Sequence, residues 1–132
     1  MNALLLVAHG SRRKESNSEV AVLAKHMNNL LDGEFDFVEH GFLELAEPYI
    51  PDAIDLCVGK GAEKIVVVPY FLSAGRHVAE DVPEEVDKGR TNNPNIEIEI
   101  ADYLGSRKEI ADLLVKSAVY VQSGRNDESK RL

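Results

Sequence analysis

The run ALLLVA at residues 3–8, followed at once by HGSRRK at residues 9–14, decides the fold. Six apolar residues without alternation fit a strand covered on both faces, the pattern of a parallel sheet between helix layers. From Ser16 to Leu31 the period becomes helical, with Val20, Leu23, Met27, Leu30 and Leu31 on one stripe. Ser16 and Glu19 stand at capping-box spacing and predict the start of that helix, and Asp32-Gly33 ends it. Phe35 to His40 reads as a second strand. Pro48 opens a helix carrying Ile50, Ile54, Cys57 and Val58, closed by Gly59 and Gly61. Ile65 to Val68 is a third strand, apolar on both faces.

Beyond it, Asp81 and Glu84 carry a second capping spacing, around Pro83, for a helix ending near Gly89. Pro94 leads into a fourth strand, Ile96 to Ala101, which alternates Ile with Glu and so reads as an edge strand with one wet face. Ser106 and Glu109 mark a final helix with Ile110, Leu113, Leu114 and Val121. The domain is placed at residues 1–122, with a polar, flexible tail at 123–132. Strands alternating with helices predict an α/β fold: three layers, α/β/α, around a four-stranded parallel sheet of order 2-1-3-4. Ligands of such sheets bind beyond the carboxyl ends of the strands, where the winding reverses.

Composition narrows the function. The chain has 132 residues and 44% apolar content, enough for one domain with a core. No apolar run approaches the roughly 20 residues that span a bilayer, and no signal-peptide pattern is found. The lone Cys57 cannot form an internal disulfide, which fits a reducing interior, and a cytoplasmic protein is expected. A net charge of -8 argues against nucleic acid and anionic membrane as partners.

The residues after strands one, two and three carry the chemistry. His9 and His77 follow strands one and three, and Glu44 follows strand two. With order 2-1-3-4 these loops flank one crevice. Neutral imidazoles suit Co, Ni, Fe and Zn, and a carboxylate completes an open site, so His9, His77 and Glu44 are the candidate metal ligands. His26, beside Lys25 in mid-helix, reads as a solvated histidine, and His40 is a secondary candidate at the end of strand two. Asp81 is accounted for by capping, Glu80 by ordinary exposure, and Glu47 by the helix dipole it faces.

Together the pieces Ala8-His9-Gly10-Ser11-Arg12, Phe42-Leu43-Glu44 with Glu47-Pro48, Pro69-Tyr70-Phe71-Leu72, Gly75-Arg76-His77 and Asp81-Val82-Pro83 resemble the short sirohydrochlorin cobaltochelatases. These are class II chelatases, related to the sirohydrochlorin ferrochelatases and the nickel-inserting short forms. The resemblance runs from residue 3 to about residue 120. It implies ATP-independent insertion of Co(II) into sirohydrochlorin in anaerobic cobalamin biosynthesis, with His9 and His77 as the catalytic metal-binding pair and Glu44 assisting. No permanent cofactor is implied, and the metal is a substrate. Because short members resemble half of a two-lobed chelatase, a homodimer is implied.

Metal insertion requires two pyrrole N–H protons to leave while the ion sheds water. Histidines hold an ion in an open coordination sphere, and Glu44 or a free histidine accepts a proton. Sirohydrochlorin carries many carboxylates, and Ser11, Arg12, Arg13, Lys14 and Arg76 supply a cationic and polar rim beside the histidines to bind them. Nickel or iron insertion and a non-enzymatic metal or tetrapyrrole carrier use the same ligand set. A histidine-type phosphohydrolase needs an arginine just before the nucleophilic histidine, where this chain has Ala8. A nucleotide-binding module lacks its GxGxxG or Walker pattern.

Overall fold

A computed structural model describes residues 1–132. Its four strands, β1 (Asn2–Ala8), β2 (Phe37–Phe42), β3 (Lys64–Pro69) and β4 (Glu97–Ile100), form one parallel sheet in the order β2-β1-β3-β4. The four long helices are α1 (Lys14–Asn29), α2 (Ile50–Gly59), α3 (Val82–Asn92) and α4 (Glu109–Gln122). Fold class and strand order are those expected from the alternating apolar runs. β1 lies at the centre, which is why it needs apolar residues on both sides.

The two faces of the sheet are unequal. On one, Ala3, Leu5, Val7, Ile65, Val67 and Ile98 meet Ile50, Ala53, Ile54 and Cys57 of α2 and Val82 and Val86 of α3, all within a cluster of 13 buried residues. Gly89 belongs to this contact: a Cβ there would lie 2.4 Å from Ile54 Cδ1, so α3 and α2 touch closely only because that position is bare. On the other face a smaller cluster of 5 joins Leu6, Ala8 and Phe42 to Val20 and Ala24 of α1.

Several local expectations are corrected. Helix α1 begins at Lys14 with Arg13 as its N-cap and no side-chain cap, so Ser16 and Glu19 form no capping box. Asp81 has helical backbone (φ -71°, ψ -42°) and caps nothing, because the π-helical turn His77–Asp81 runs straight into α3. Ser106 sits in a 3-10 turn, donating to the Tyr103 carbonyl, and α4 starts from Lys108 without a side-chain cap. In each case adjoining turn or helix occupies the backbone that a cap would have ended. Pro48 does not open α2; Pro51 occupies its first turn, while the Pro48 carbonyl accepts from Phe42 N at 2.8 Å and extends the β2 exit. Strand β2 runs to Phe42, and α3 continues past Gly89 to Asn92.

The largest correction concerns α4. Four helices were expected to cover the sheet, but α4 has no buried residue. Leu113, Leu114, Val115, Val119 and Val121, five of the fourteen exposed large apolar side chains, lie on it. Its polar side is a narrow strip, Glu109, Asp112 and Lys116, with Lys116 paired to Asp112 at 3.0 Å. No helix of the chain is long and apolar enough to cross a membrane.

Candidate metal centre

The site is built where β1, β2 and β3 end side by side. Past the last residues of β1 and β2, backbone pairing continues for two more steps: Leu43 N donates to Ala8 O at 2.9 Å and Glu44 N to His9 O at 3.0 Å. This zipper brings Glu44 beside His9. It also dictates Gly10, whose φ is +94° and where a Cβ would lie 1.8 Å from the Glu44 carbonyl oxygen. Only a residue without a side chain lets the chain turn there. On the other side Tyr70 N donates to Val7 O at 2.7 Å, tying the β3 exit to β1. Gly105 in turn packs its bare Cα against the Leu72 carbonyl, where a Cβ would approach to 1.8 Å, and donates its N–H to Phe71 O at 3.0 Å. The loop leading from β3 to His77 is thereby held from below.

The result places two imidazoles together. The rings of His9 and His77 have centroids 4.5 Å apart and are tilted by 47°. Each has its own carboxylate. His9 Nε2 lies 2.9 Å from Glu44 Oε1. That atom has no solvent contact, yet the carboxylate is too far off the N–H line for a hydrogen bond, so Glu44 covers His9 Nε2 without satisfying it. His77 Nδ1 is within hydrogen-bond distance of Asp81 Oδ2, at 2.8 Å. No three His, Cys, Asp or Glu donors are arranged around a single point. The two imidazoles lie together, and Glu44, expected as a third ligand, is turned toward His9 as Asp81 is toward His77. A neutral imidazole pair offers lone pairs to a divalent ion, and the carboxylates are proton acceptors within reach of it.

The expected rim is only partly assembled as a cationic surface. Arg12, Arg13 and Lys14 are exposed at the start of α1. Arg76 is 80% exposed, and its Nε lies 3.6 Å from Glu80 Oε2, an exposed pair worth little in water. Ser11 has a structural task. Its Oγ accepts from Arg13 N at 3.0 Å, while Asn17 clips its backbone from both sides, with Oδ1 accepting from Ser11 N and Nδ2 donating to Ser11 O. Sequence reasoning missed Asn17, for which no motif signals the contact. It also missed Asp81, for which the four-residue spacing from His77 was the available signal.

The other histidines stay apart. His26 is exposed in the last turn of α1. His40 lies inside β2 in register with Leu6 and stacks edge-on against Phe42 at 5.5 Å. Burial holds its pKa below the ordinary histidine value, with the Glu39 carboxylate pulling the other way. Two hollows of the surface lie elsewhere. One of about 1260 Å³ runs along α4 and the residues after it, and one of about 670 Å³ lies between α1 and Tyr70. Neither includes His9 or His77, whose side chains are 41% and 48% exposed.

In sequence and fold the chain is similar to known chelatases. The chain is 39% identical over 118 residues to the sirohydrochlorin cobaltochelatase of Sulfolobus acidocaldarius, covering 89% of this chain and 90% of that one. It is 32% identical over 129 residues to the sirohydrochlorin ferrochelatase of Priestia megaterium, covering 98% of this chain but only 48% of that longer protein. Among solved structures, the sirohydrochlorin chelatase of Bacillus subtilis subspecies spizizenii in complex with cobalt superposes with a TM-score of 0.76 at 33% identity, over 84% of this chain and 47% of that one. A cobalamin (vitamin B12) biosynthesis CbiX protein of Marinobacter aquaeolei VT8 superposes with a TM-score of 0.77 at 26% identity, over 96% and 100% of the two chains. The chain thus spans about half of the longer chelatases and nearly all of the short ones. The CbiX family model matches residues 3–120, and the chain belongs to that family.

Proposed function

We propose that the chain is a sirohydrochlorin cobaltochelatase, inserting Co(II) into sirohydrochlorin without ATP on the route to cobalamin. The observation that carries this reading is the His9–His77 pair, two imidazoles 4.5 Å apart, one just past β1 and the other opening the turn before α3, each with its own carboxylate. The pair takes up the incoming ion as a substrate in an open coordination sphere and releases it to the four ring nitrogens. An open, weak site favours transfer, because a full protein ligand set would compete with the macrocycle. Glu44, half-exposed and already beside His9, accepts a pyrrole proton as the ion enters. Cobalt is preferred over iron or nickel on the likeness to short relatives named cobaltochelatases, which this chain covers at nearly full length. The likeness to ferrochelatases supports iron as the second reading.

The rim of Arg12, Arg13, Lys14 and Arg76 binds substrate carboxylates in this reading, and Ser11 shapes the loop that carries it. Replacing Arg13 and Arg76 together is expected to raise KM more than it lowers kcat, since ground-state binding is what is lost. An unchanged KM would leave the rim without that role. A homodimer completes the reading. Its support is α4, a helix apolar nearly all round and without a buried residue, the kind of surface globular proteins normally bury.

The decisive experiment is an insertion assay with sirohydrochlorin and Co(II), Ni(II) or Fe(II) at equal free concentration. Cobalt turnover is expected, falling to the uncatalysed background in His9→Ala and in His77→Ala with the fold intact by circular dichroism. Binding of metal and macrocycle without turnover would identify a carrier instead.

A further inference from the structure

We propose that Asp81 is the positioning residue for His77: its carboxylate holds the imidazole proton on Nδ1 and thereby presents the Nε2 lone pair to the incoming metal ion. The inference rests on the reading of His77 as a metal ligand and deepens it. A neutral imidazole carries one N–H, and an ionised carboxylate can only accept. The 2.8 Å contact between Asp81 Oδ2 and His77 Nδ1 therefore selects one tautomer, with the proton on Nδ1 and the donor pair on Nε2. A carboxylate behind a ligating imidazole also raises its basicity and fixes the plane of the ring.

Three features make Asp81 the fixed member of this pair. The sequence spacing offers it a capping role, but its backbone is helical and its side chain caps nothing, so the carboxylate is free for His77. It is followed at once by Val82, which is fully buried against the α2–α3 core. His77, by contrast, closes an exposed segment, and Leu72 through His77 are all exposed. The π-helical turn from His77 to Asp81 brings the two side chains, four apart, onto one side, so a core-anchored group sets a ring that its own segment leaves free. The nearby Arg76 and Glu80 are exposed and pair with each other at 3.6 Å.

Asp81 does not duplicate Glu44. Glu44 covers Nε2 of His9, whereas Asp81 takes Nδ1 of His77. The two rings therefore meet their carboxylates through different nitrogens. Glu44 must move for His9 Nε2 to receive a metal, while Asp81 can stay in place throughout the transfer.

The test reads the tautomer directly. Proton–nitrogen correlation spectra of the full chain, ¹⁵N-labelled and held at pH 8, report which ring nitrogen of His77 carries hydrogen; the His77→Gln spectrum assigns the signals. In the wild-type protein the Nδ1–H form is expected, with cobalt perturbing the His77 signals. Asp81→Ala should lose the single tautomer, weaken cobalt binding about tenfold to a hundredfold, and lower kcat while the KM for sirohydrochlorin stays nearly unchanged. Asp81→Asn, whose amide can accept from Nδ1–H or donate to a bare Nδ1, should hold the tautomer less strictly and fall between the two in cobalt affinity. A wild-type His77 protonated on Nε2 would overturn the proposal. So would an Asp81→Ala protein with the wild-type tautomer and cobalt affinity. If cobalt leaves the His77 signals of the wild type untouched, the metal-ligand reading fails and the proposal falls with it. A shift in the unfolding midpoint of Asp81→Ala with no change in tautomer or cobalt affinity would reduce Asp81 to a structural contact.

Discussion

Helices α2 and α4 are both strongly apolar in sequence, and they end in opposite environments. In α2, Ile50, Ala53, Ile54 and Cys57 are fully buried against the sheet and α3. In α4 no residue is buried, and Leu113, Leu114 and Val115 are each more than half exposed. Apolar patterning states that a surface is to be removed from water, and it does not state by what. The partner of α2 lies in the same chain. For α4 the chain provides none, and its apolar arc is far wider than docking on one sheet face requires. One apolar helix thus closes the core over the sheet, and the other leaves its apolar arc in water.

The largest expected effect tests the closed face. Ile54→Ala removes an α2 side chain that packs into the core beneath the sheet and against the bare Gly89 of α3. It should cost about 2–5 kcal/mol of stability, from lost transfer energy and the cavity left behind. Urea unfolding gives the number. A loss below about 0.5 kcal/mol, the range of ordinary surface substitutions, would mean that the α2–α3 contact is not the core it looks like.

A smaller effect is expected on the open side. Leu114 is 65% exposed, so Leu114→Glu should change the stability of the isolated chain by no more than about 0.5 kcal/mol. Its consequence should appear in association, with sedimentation moving from dimer to monomer as a charge enters the apolar arc. The stability measurement belongs at dilutions where the chain is monomeric, since association adds to apparent stability. A destabilisation as large as that of Ile54→Ala at such dilution would place α4 on its own sheet and erase the contrast between the two helices.

What the sequence made legible follows the same division. Continuous runs such as Ala3 to Ala8 and Ile65 to Val68 have the pattern of buried strands, and their number and alternation with helices led to the observed strand order. The convergence of His9, Glu44 and the His77 loop followed from that order, because the ends of β1, β2 and β3 must be neighbours. The helix starts did not follow. Ser16, Asp81 and Ser106 each have a correctly spaced glutamate, but a capping box needs a non-helical backbone at its first residue, and helical or 3-10 turns occupy all three. Asp81 was hidden by that local explanation, and its contact with His77 depends on a π-helical turn that no apolar period announces. The standing of α4 was invisible for a different reason, since a burial pattern is the same whether the covering surface is in the chain or outside it.

The smallest effect concerns how dry the α1 face of the sheet is, and His40 reports it. On the α2 face, burial pushes the Cys57 thiol up to about 12, with the Glu39 carboxylate adding to the rise and Lys60 opposing it, as expected of a closed interior. His40 points to the other face, where Leu6 and Phe42 meet α1. Its pKa is lowered by burial, partly offset by Glu39, so the folded chain resists a proton that the unfolded chain accepts near the reference value of about 6.5. Above that pH both states hold His40 neutral and the residue contributes no pH dependence. As pH falls through 6.5 the unfolded state binds more protons, and stability is lost progressively until the lower, folded pKa is reached. His40→Asn removes this dependence, so the variant should gain on the wild type between pH 8 and pH 5 in parallel urea titrations. The gain should be small, because the residue is half-buried and the Glu39 carboxylate compensates part of the burial cost. A wild type that instead gains on the variant as pH falls would show His40 charged and paired in the fold. The α1 face would then be wet, and the contrast between a closed and an open half of the molecule would begin at the sheet rather than at α4.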